Sequence, residues 1–350
     1  MPTRRALVVG AGIAGSATAL RLHRSDWDIV LLERNAEFQD LGFPCALRGT
    51  GYDAATRLGL MPALIEHSQP RCDTVVVDVA GTPFALYSKP STATPVLRRA
   101  DVVTVLRGAI GGAEARKSAD VLGLTEDDCG VTVTFSDGDE DWFDLVVGAD
   151  GVDSAVRGAV FGERHEHGQA TVSLSSRLET ASASAVRMDL SGRSVRVHPL
   201  SGGGSAALFT WRGDASLALQ KAFADLAWLG PDLLSQVDAG PVTRRASFQV
   251  HADRWVSGQI ALVGDAAWCA GRPCGQSASL AIGGAELLGD ALDIFTSTAE
   301  ALAWWEAQMR PIVRHQKQLR PFQTRPAHTG LRFVTDVVAR PGEQQDEDCP

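Results

Sequence analysis

At 350 residues the chain is long enough to bury two cores, and its 45% hydrophobic residues and 35 glycines suit a compact α/β protein rather than a disordered one. Lys and Arg number 33 against 42 Asp and Glu, a net charge of −9 with no basic block, which excludes nucleic acid as a partner; no run approaches the roughly 20 apolar residues of a membrane span. The six cysteines, Cys45, Cys72, Cys129, Cys269, Cys274 and Cys349, form no C-x-x-C pair. That pattern argues against a disulfide-stapled domain or a zinc site and for a reducing, cytoplasmic setting.

In chain order, Ala6 to Val9 reads as a short buried strand that Gly10 ends, and Ile13, Ala17 and Leu20 then recur on one helical face. Between them stands G-x-G-x-x-G: Gly10 for the tight turn, Gly12 for close approach of backbone N–H groups to a pyrophosphate, and Gly15 for close packing of helix on sheet. Ile13 and Ala14 complete the first helical turn, whose N-terminus favours negative charge. A second apolar run, Asp28 to Leu32, ends at Glu33, a carboxylate placed to accept both ribose hydroxyls of an adenosine. Two other readings compete for this stretch. A secretion signal behind Arg4 and Arg5 is interrupted by Arg21 and Arg24 and carries three spaced glycines; a glycine-loosened core turn leaves Glu33 unexplained.

Further along, "FDLVVGADGVDSAVR" (143 to 157) predicts a strand entering a turn at Asp150, then a helix start with Arg157 in its first turns. His165, Glu166 and His167 form the closest histidine pair, read as a solvated loop rather than a metal site. Ser194 to His198 alternates as a strand, and "LSGGGSAALFTW" predicts a hairpin whose Gly202 to Gly204 lacks the Lys-Ser/Thr of a phosphate loop. "GQIALVGDAAWCAGRPCGQSASLAIGG" (258 to 284) is a strand ending at Gly264-Asp265, a glycine-rich loop and a long helix, for which Ser277 or Ser279 is a candidate N-cap. G-Q-S-A-S at 275 to 279 misses the final glycine of a nucleophile elbow, so a hydrolase reading falls away. Leu302, Trp305, Met309, Ile312 and Val313 mark one face of a last helix, kinked at Pro311; the Trp304-Trp305 pair reads as packing, and 341–350 as a disordered tail.

These three motifs, in this order and at these separations, resemble the FAD-dependent aromatic hydroxylases of the para-hydroxybenzoate hydroxylase fold, the tetracycline- and polyketide-modifying monooxygenases included. The likeness runs from residue 5 to about 320, supported by "RRADVVTVL", whose Arg99, Val102 and Leu106 fit the family's R-x-x-L-x-x-x-L helix, and by "WWEAQMRPIVRHQKQL". The resemblance implies an α/β fold: a Rossmann-like FAD-binding domain, an inserted β-sheet substrate domain and C-terminal helices. The FAD domain would comprise 1–69, 97–167 and 252–320, the substrate domain 70–96 and 168–251, and a helical segment 321–340. Gly10, Gly12 and Gly15 would hold the FAD pyrophosphate and Glu33 the ribose, with Arg34 at the adenosine end and Arg99 bracing the phosphates. Asp150 would serve both FAD and NAD(P)H, or merely support the sheet near Asp265. Asp265 would bind the ribityl or phosphate portion, with Gly275 and Gln276 beside the isoalloxazine.

The implied chemistry is the cofactor's own: NADPH or NADH reduces FAD, dioxygen adds at flavin C4a, and the hydroperoxide passes its distal oxygen to an aromatic or polyketide-like small molecule, in secondary metabolism. The enzyme would be a monomer or homodimer. No side chain is assigned as a catalytic base. Three positions depart from the family pattern: Trp268 where many members have His or Tyr, Arg272 where Pro is usual, and Ser277 for the last glycine of G-Q-G. A Cβ at 277 costs about 1–2 kcal/mol if φ must be positive, or gains about 1 kcal/mol as a cap. The departures leave open an oxidase, a dehydrogenase or a redox-neutral cyclase that has lost oxygen insertion, and a non-catalytic scaffold.

Overall fold

A computed structural model describes residues 3–35, 43–88, 94–111, 114–162, 171–179, 183–213, 219–226, 234, 236, 242–247, 249–250, 252–270 and 276–318. The readings made for 341–350, for the helical segment 321–340, for His165 to His167 and for Arg272 and Gly275 lie outside these residues.

Two sheets organise the chain. The first has six strands in the order Val256–Ser257, Ile260–Leu262, Leu145–Gly148, Arg5–Val9, Asp28–Glu33 and Glu114–Lys117. All neighbours are parallel except the antiparallel edge strand Val256–Ser257. Its central strands are apolar rather than alternating, because a parallel sheet is covered on both faces: Ala6, Leu7, Val8, Leu145, Val146 and Ala261 are fully buried. Helix Ile13–His23 packs between helices Arg99–Ile110 and Gln276–Ile294. An antiparallel meander, Val121–Glu126, Val131–Phe135 and Glu140–Phe143, precedes the central strand Leu145–Gly148.

The second sheet has seven strands, in the order Val242–Ser247, Thr171–Leu178, Ser205–Arg212, Arg193–Pro199, Ala185–Leu190, Thr74–Val77 and Pro83–Tyr87. It is an insertion into the first unit, antiparallel except between Ala185–Leu190 and Thr74–Val77. Alternation sends Met188, Val195, Val197, Phe209 and Trp211 to one face, where they meet Leu219, Phe223 and Leu226 in a core of their own. The predicted hairpin is present, with Gly203 and Gly204 at φ +82° and +71° in its turn.

The last helix runs from Thr298 through Pro311 to Gln318 and buries Leu302, Trp305, Met309 and Val313 against the first unit. Trp305 donates its indole N–H to the carbonyl of Gly284 at 2.9 Å, so this tryptophan is core. The serine cap expected for the long helix is corrected. That helix starts at Gln276, which puts Ser277 and Ser279 within its first turn. Ser279 is buried and its Oγ accepts the backbone N–H of Arg48 at 3.1 Å. A donor arriving from another loop thus takes the hydroxyl that the cap reading assigned to the helix end.

Candidate functional site

The glycine turn explains itself position by position. Gly10 has φ +99°, and a Cβ there would stand 2.6 Å from the carbonyl oxygen of Ala149. A Cβ on Gly15 would fall 1.7 Å from the carbonyl oxygen of Gly10. Both glycines therefore serve the packing of turn, helix and neighbouring strand. Gly12 differs: its φ of −74° and ψ of −168° suit any residue, and a Cβ there would meet only Nη2 of Arg99, at 3.4 Å. The space above Gly12 is a cradle that a methyl group would begin to fill. Among the described residues no side chain caps this helix, so the N–H groups of its first turn, including Ile13 and Ala14, are available to a ligand.

Arg99 reaches this cradle from the start of its own helix, and among the described residues its guanidinium has no hydrogen bond or ion pair. Its neighbour Arg98 is instead paired bidentately with buried Asp101 at 2.7 and 2.9 Å. At the end of the second strand, Glu33 Oε2 accepts the N–H of Ala11 at 3.0 Å, and Oε1 accepts the N–H and Nδ2 of Asn35 at 3.0 and 3.1 Å. The carboxylate is one wall of a shallow surface cleft also lined by Ala11, Leu31, Asn35, Arg107 and Lys117. Arg107 and Lys117 carried no signal in the sequence; they reach the cleft only through the packing of their helix and strand. Arg34 is exposed and outside this lining.

Asp150 sits over Gly10, its Cα 2.8 Å from where a Cβ would be. Its Oδ2 accepts the N–H groups of Ala155 and Val156 at 2.7 and 3.3 Å, and Ser154 Oγ accepts that of Arg157 at 3.0 Å, so both side chains cap the short helix Ala155–Val160. Part of Asp150 reaches the surface, yet Oδ1 is buried without a partner among the described residues. Burial pushes the carboxyl above the usual range, against the pull of the hydrogen bonds to its other oxygen. Arg157, also buried, donates to the carbonyls of Ala266 at 2.8 Å and Val152 at 2.6 Å. It thereby ties the Asp150 turn to the turn of Asp265, a role for which the sequence offered no sign.

Asp265 opens the helical turn Asp265–Trp268 behind Gly264, whose φ is +67° and whose Cβ would stand 2.6 Å from that of Ala14. The first and third motifs are thus in contact. Trp268 is turned away from them: its ring lies 4.9 Å from Trp255 and 6.1 Å from Trp305, in the core. Gln276 is exposed and Ser277 half-buried at the start of the long helix. Across the second sheet, His198 is 8% exposed and holds Nδ1 3.7 Å from Sγ of Cys72. Burial alone pushes its pKa down to about 4.

A family described as FAD binding domain matches residues 3–314. The chain belongs to that family. A flavin-dependent monooxygenase from an unknown prokaryotic organism is 28% identical over 350 aligned residues, covering 89% of this chain and 87% of the relative. Among solved structures, the tetracycline destructase Tet(55) aligns with a TM-score of 0.80 at 26% identity, over 91% of this chain and 88% of that one. A variant of Klebsiella pneumoniae HpxO complexed with FAD aligns with a TM-score of 0.76 at 25% identity, over 89% and 87%. This is an FAD-dependent monooxygenase of the aromatic-hydroxylase type, on the para-hydroxybenzoate hydroxylase fold. The geometry suits the cofactor: an open glycine cradle with a cation beside it, and a carboxylate at the adjoining strand end.

Proposed function

We propose that the enzyme spends NADPH or NADH and dioxygen to hydroxylate an aromatic or polyketide-like small molecule. In that reaction two electrons and a proton from the nicotinamide, with one further proton, leave one oxygen atom in the product and the other in water. Bound FAD would supply the relay of electrons and the activation of oxygen. The observation that carries the reading is the cradle at Gly12 with the guanidinium of Arg99 facing it.

In this reading Gly12 and the first-turn N–H groups of Ile13 and Ala14 would face the FAD pyrophosphate, Arg99 would neutralise it, and Glu33 would accept from the ribose. Gly10 and Gly15 would hold the turn in shape. Asp265 would meet the ribityl or phosphate portion, with Gly275, Gln276 and Ser277 toward the flavin ring. Asp150 and Arg157 would set the Asp265 turn, and Asp150 would also lie toward the nicotinamide. The chain's task is then to place the substrate, exclude water and keep charge complementary around the ring. The likeness to a tetracycline destructase supports a polyketide-like small molecule as the substrate. Cys45, Cys72, Cys129 and Cys269 are free thiols, in keeping with a cytoplasmic setting.

The test is a visible spectrum of the purified protein followed by anaerobic addition of NADPH or NADH. A bound flavin that bleaches with either nucleotide is the expected result. A flavin that ignores both, yet turns over with a substrate alone, would replace this proposal with an oxidase or cyclase.

A further inference from the structure

One buried side chain stands where the chain first crosses between the two units. Gln69 follows helix Met61–Glu66, which packs in the first core, and precedes strand Thr74–Val77 of the second sheet. The chain returns at Val96–Leu97, which pairs with Cys45–Ala46. The backbone N–H of Gln69 donates to the carbonyl of Val96 at 2.7 Å. Outgoing and incoming segments are thus held side by side, next to Pro70 on one and Pro95 on the other.

The Gln69 side chain is buried, with the residue 5% exposed, and it meets three segments. Its Nε2 donates to the carbonyl of His67 at 3.1 Å and to Oδ2 of Asp101 at 3.3 Å, while Oε1 accepts the N–H and Oγ–H of Ser201 at 3.2 and 3.3 Å. Acceptors on one side and donors on the other select a single orientation of the amide. Ser201 belongs to the hairpin turn of the second sheet, between Arg193–Pro199 and Ser205–Arg212. Were that turn to lift, Oε1 would lose both donors.

The other end of the amide leads to the nucleotide site. Asp101, buried, holds Arg98, and Arg98 is the N-cap of helix Arg99–Ile110. Gln69 therefore grips the chain on both sides of Arg99, at Val96 through its backbone and at Asp101 through its side chain. Among the described residues the Arg99 guanidinium has no hydrogen bond or ion pair, so the start of its helix sets where it stands.

We infer that Gln69 is a positioning residue that links docking of the second sheet to FAD binding. With the turn of Ser201 seated on Gln69, Asp101 and Arg98 hold the helix start so that Arg99 faces the cradle at Gly12. This rests on the reading of Arg99 as the cation of the pyrophosphate site, and adds to it a dependence on the second unit. Linkage makes the effect mutual: seating of the turn and binding of FAD favour each other by the same factor.

The experiment measures FAD affinity of the full-length apoprotein by flavin fluorescence, for wild type, Gln69→Leu, Arg99→Gln and the double variant. Gln69→Leu removes the side-chain links, keeps the backbone one, and should weaken FAD binding about three- to tenfold. In the Arg99→Gln background the same change should cost less than about twofold, because Gln69 acts through Arg99; a merely structural glutamine would multiply the two losses. The salt dependence of affinity should flatten in Gln69→Leu as it does in Arg99→Gln. Hydrogen exchange reads the opposite end: FAD should slow exchange of the Ser201 amide about threefold or more in wild type and not in Gln69→Leu. Should the Leu variant fail to fold, Gln69→Asn, one methylene too short to span Ser201 and Asp101, takes its place. Losses that multiply, a wild-type salt dependence in the Gln69 variant, or a Ser201 amide indifferent to FAD in wild type overturns the inference. An Arg99→Gln protein that binds FAD like wild type fails the assignment of Arg99 instead, so the two failures are told apart by that single variant.

Discussion

Gly12 and Gly15 stand in one motif but do different work, and alanine at each separates the two roles. At Gly12 the backbone already sits at φ −74° and ψ −168°, and the new methyl would meet only the tip of Arg99 at 3.4 Å. The apoprotein should therefore keep its stability within about 0.5 kcal/mol, or gain slightly from the stiffer unfolded chain. The methyl would nonetheless occupy the cradle. Losing one charge-assisted hydrogen bond to a pyrophosphate, worth about 1.5–3 kcal/mol, weakens FAD binding by roughly ten- to a hundredfold. At Gly15 the methyl would land 1.7 Å from the carbonyl oxygen of Gly10, a contact that only a backbone shift can relieve. The gain of about 1 kcal/mol expected of Gly→Ala inside a helix is then overridden by an overpacking cost of about 1–3 kcal/mol or more. Urea unfolding of the two apoproteins and FAD titration followed by flavin fluorescence measure both quantities. A folded Gly12→Ala protein that binds FAD like the wild type, or a Gly15→Ala apoprotein of unchanged stability, would refute the reasoning.

Arg157→Leu leaves the buried carbonyl of Ala266 without its donor, at about 1–3 kcal/mol, and the part-buried carbonyl of Val152 at less. Urea unfolding should register that loss and stopped-flow should show faster FAD release, with Arg157→Lys recovering part of both; a wild-type urea midpoint would count against the staple. Arg99→Gln should leave apoprotein stability within about 0.5 kcal/mol, because no ion pair is broken among the described residues. FAD affinity should fall about tenfold and depend less steeply on salt, as calorimetry at two ionic strengths would show. His198 titrates near 4 when folded against 6.5 unfolded. The unfolded chain thus binds the extra proton between those values, and stability falls as pH drops from about 6.5 to about 4, by up to roughly 3 kcal/mol. Asp150, with its raised pKa, acts in the opposite sense, so the decisive comparison is His198→Gln against wild type, which should flatten the profile over that window.

The glycine turn, the strands around it and Glu33 were legible in the sequence because their cause is local. The turn conformation, the helix start and an acid at the end of the second strand all follow from spacing within residues 6 to 33, and parallel strands announce themselves as unbroken apolar runs. The same local reading overreached at Ser277 and Ser279, where the helix begins at Gln276 and the Ser279 hydroxyl is taken by Arg48. Trp268 drew attention as a departure within a motif, yet its ring packs with Trp255 and Trp305. Arg107 and Lys117 at the cleft, Arg157 bridging two turns, and buried His198 beside Cys72 were decided only by the tertiary structure. His198 and Cys72 lie 126 residues apart, and burial is what pushes the imidazole pKa down and the thiol pKa up. Burial is a property of what surrounds a side chain once strands have paired, and no spacing along the chain encodes it.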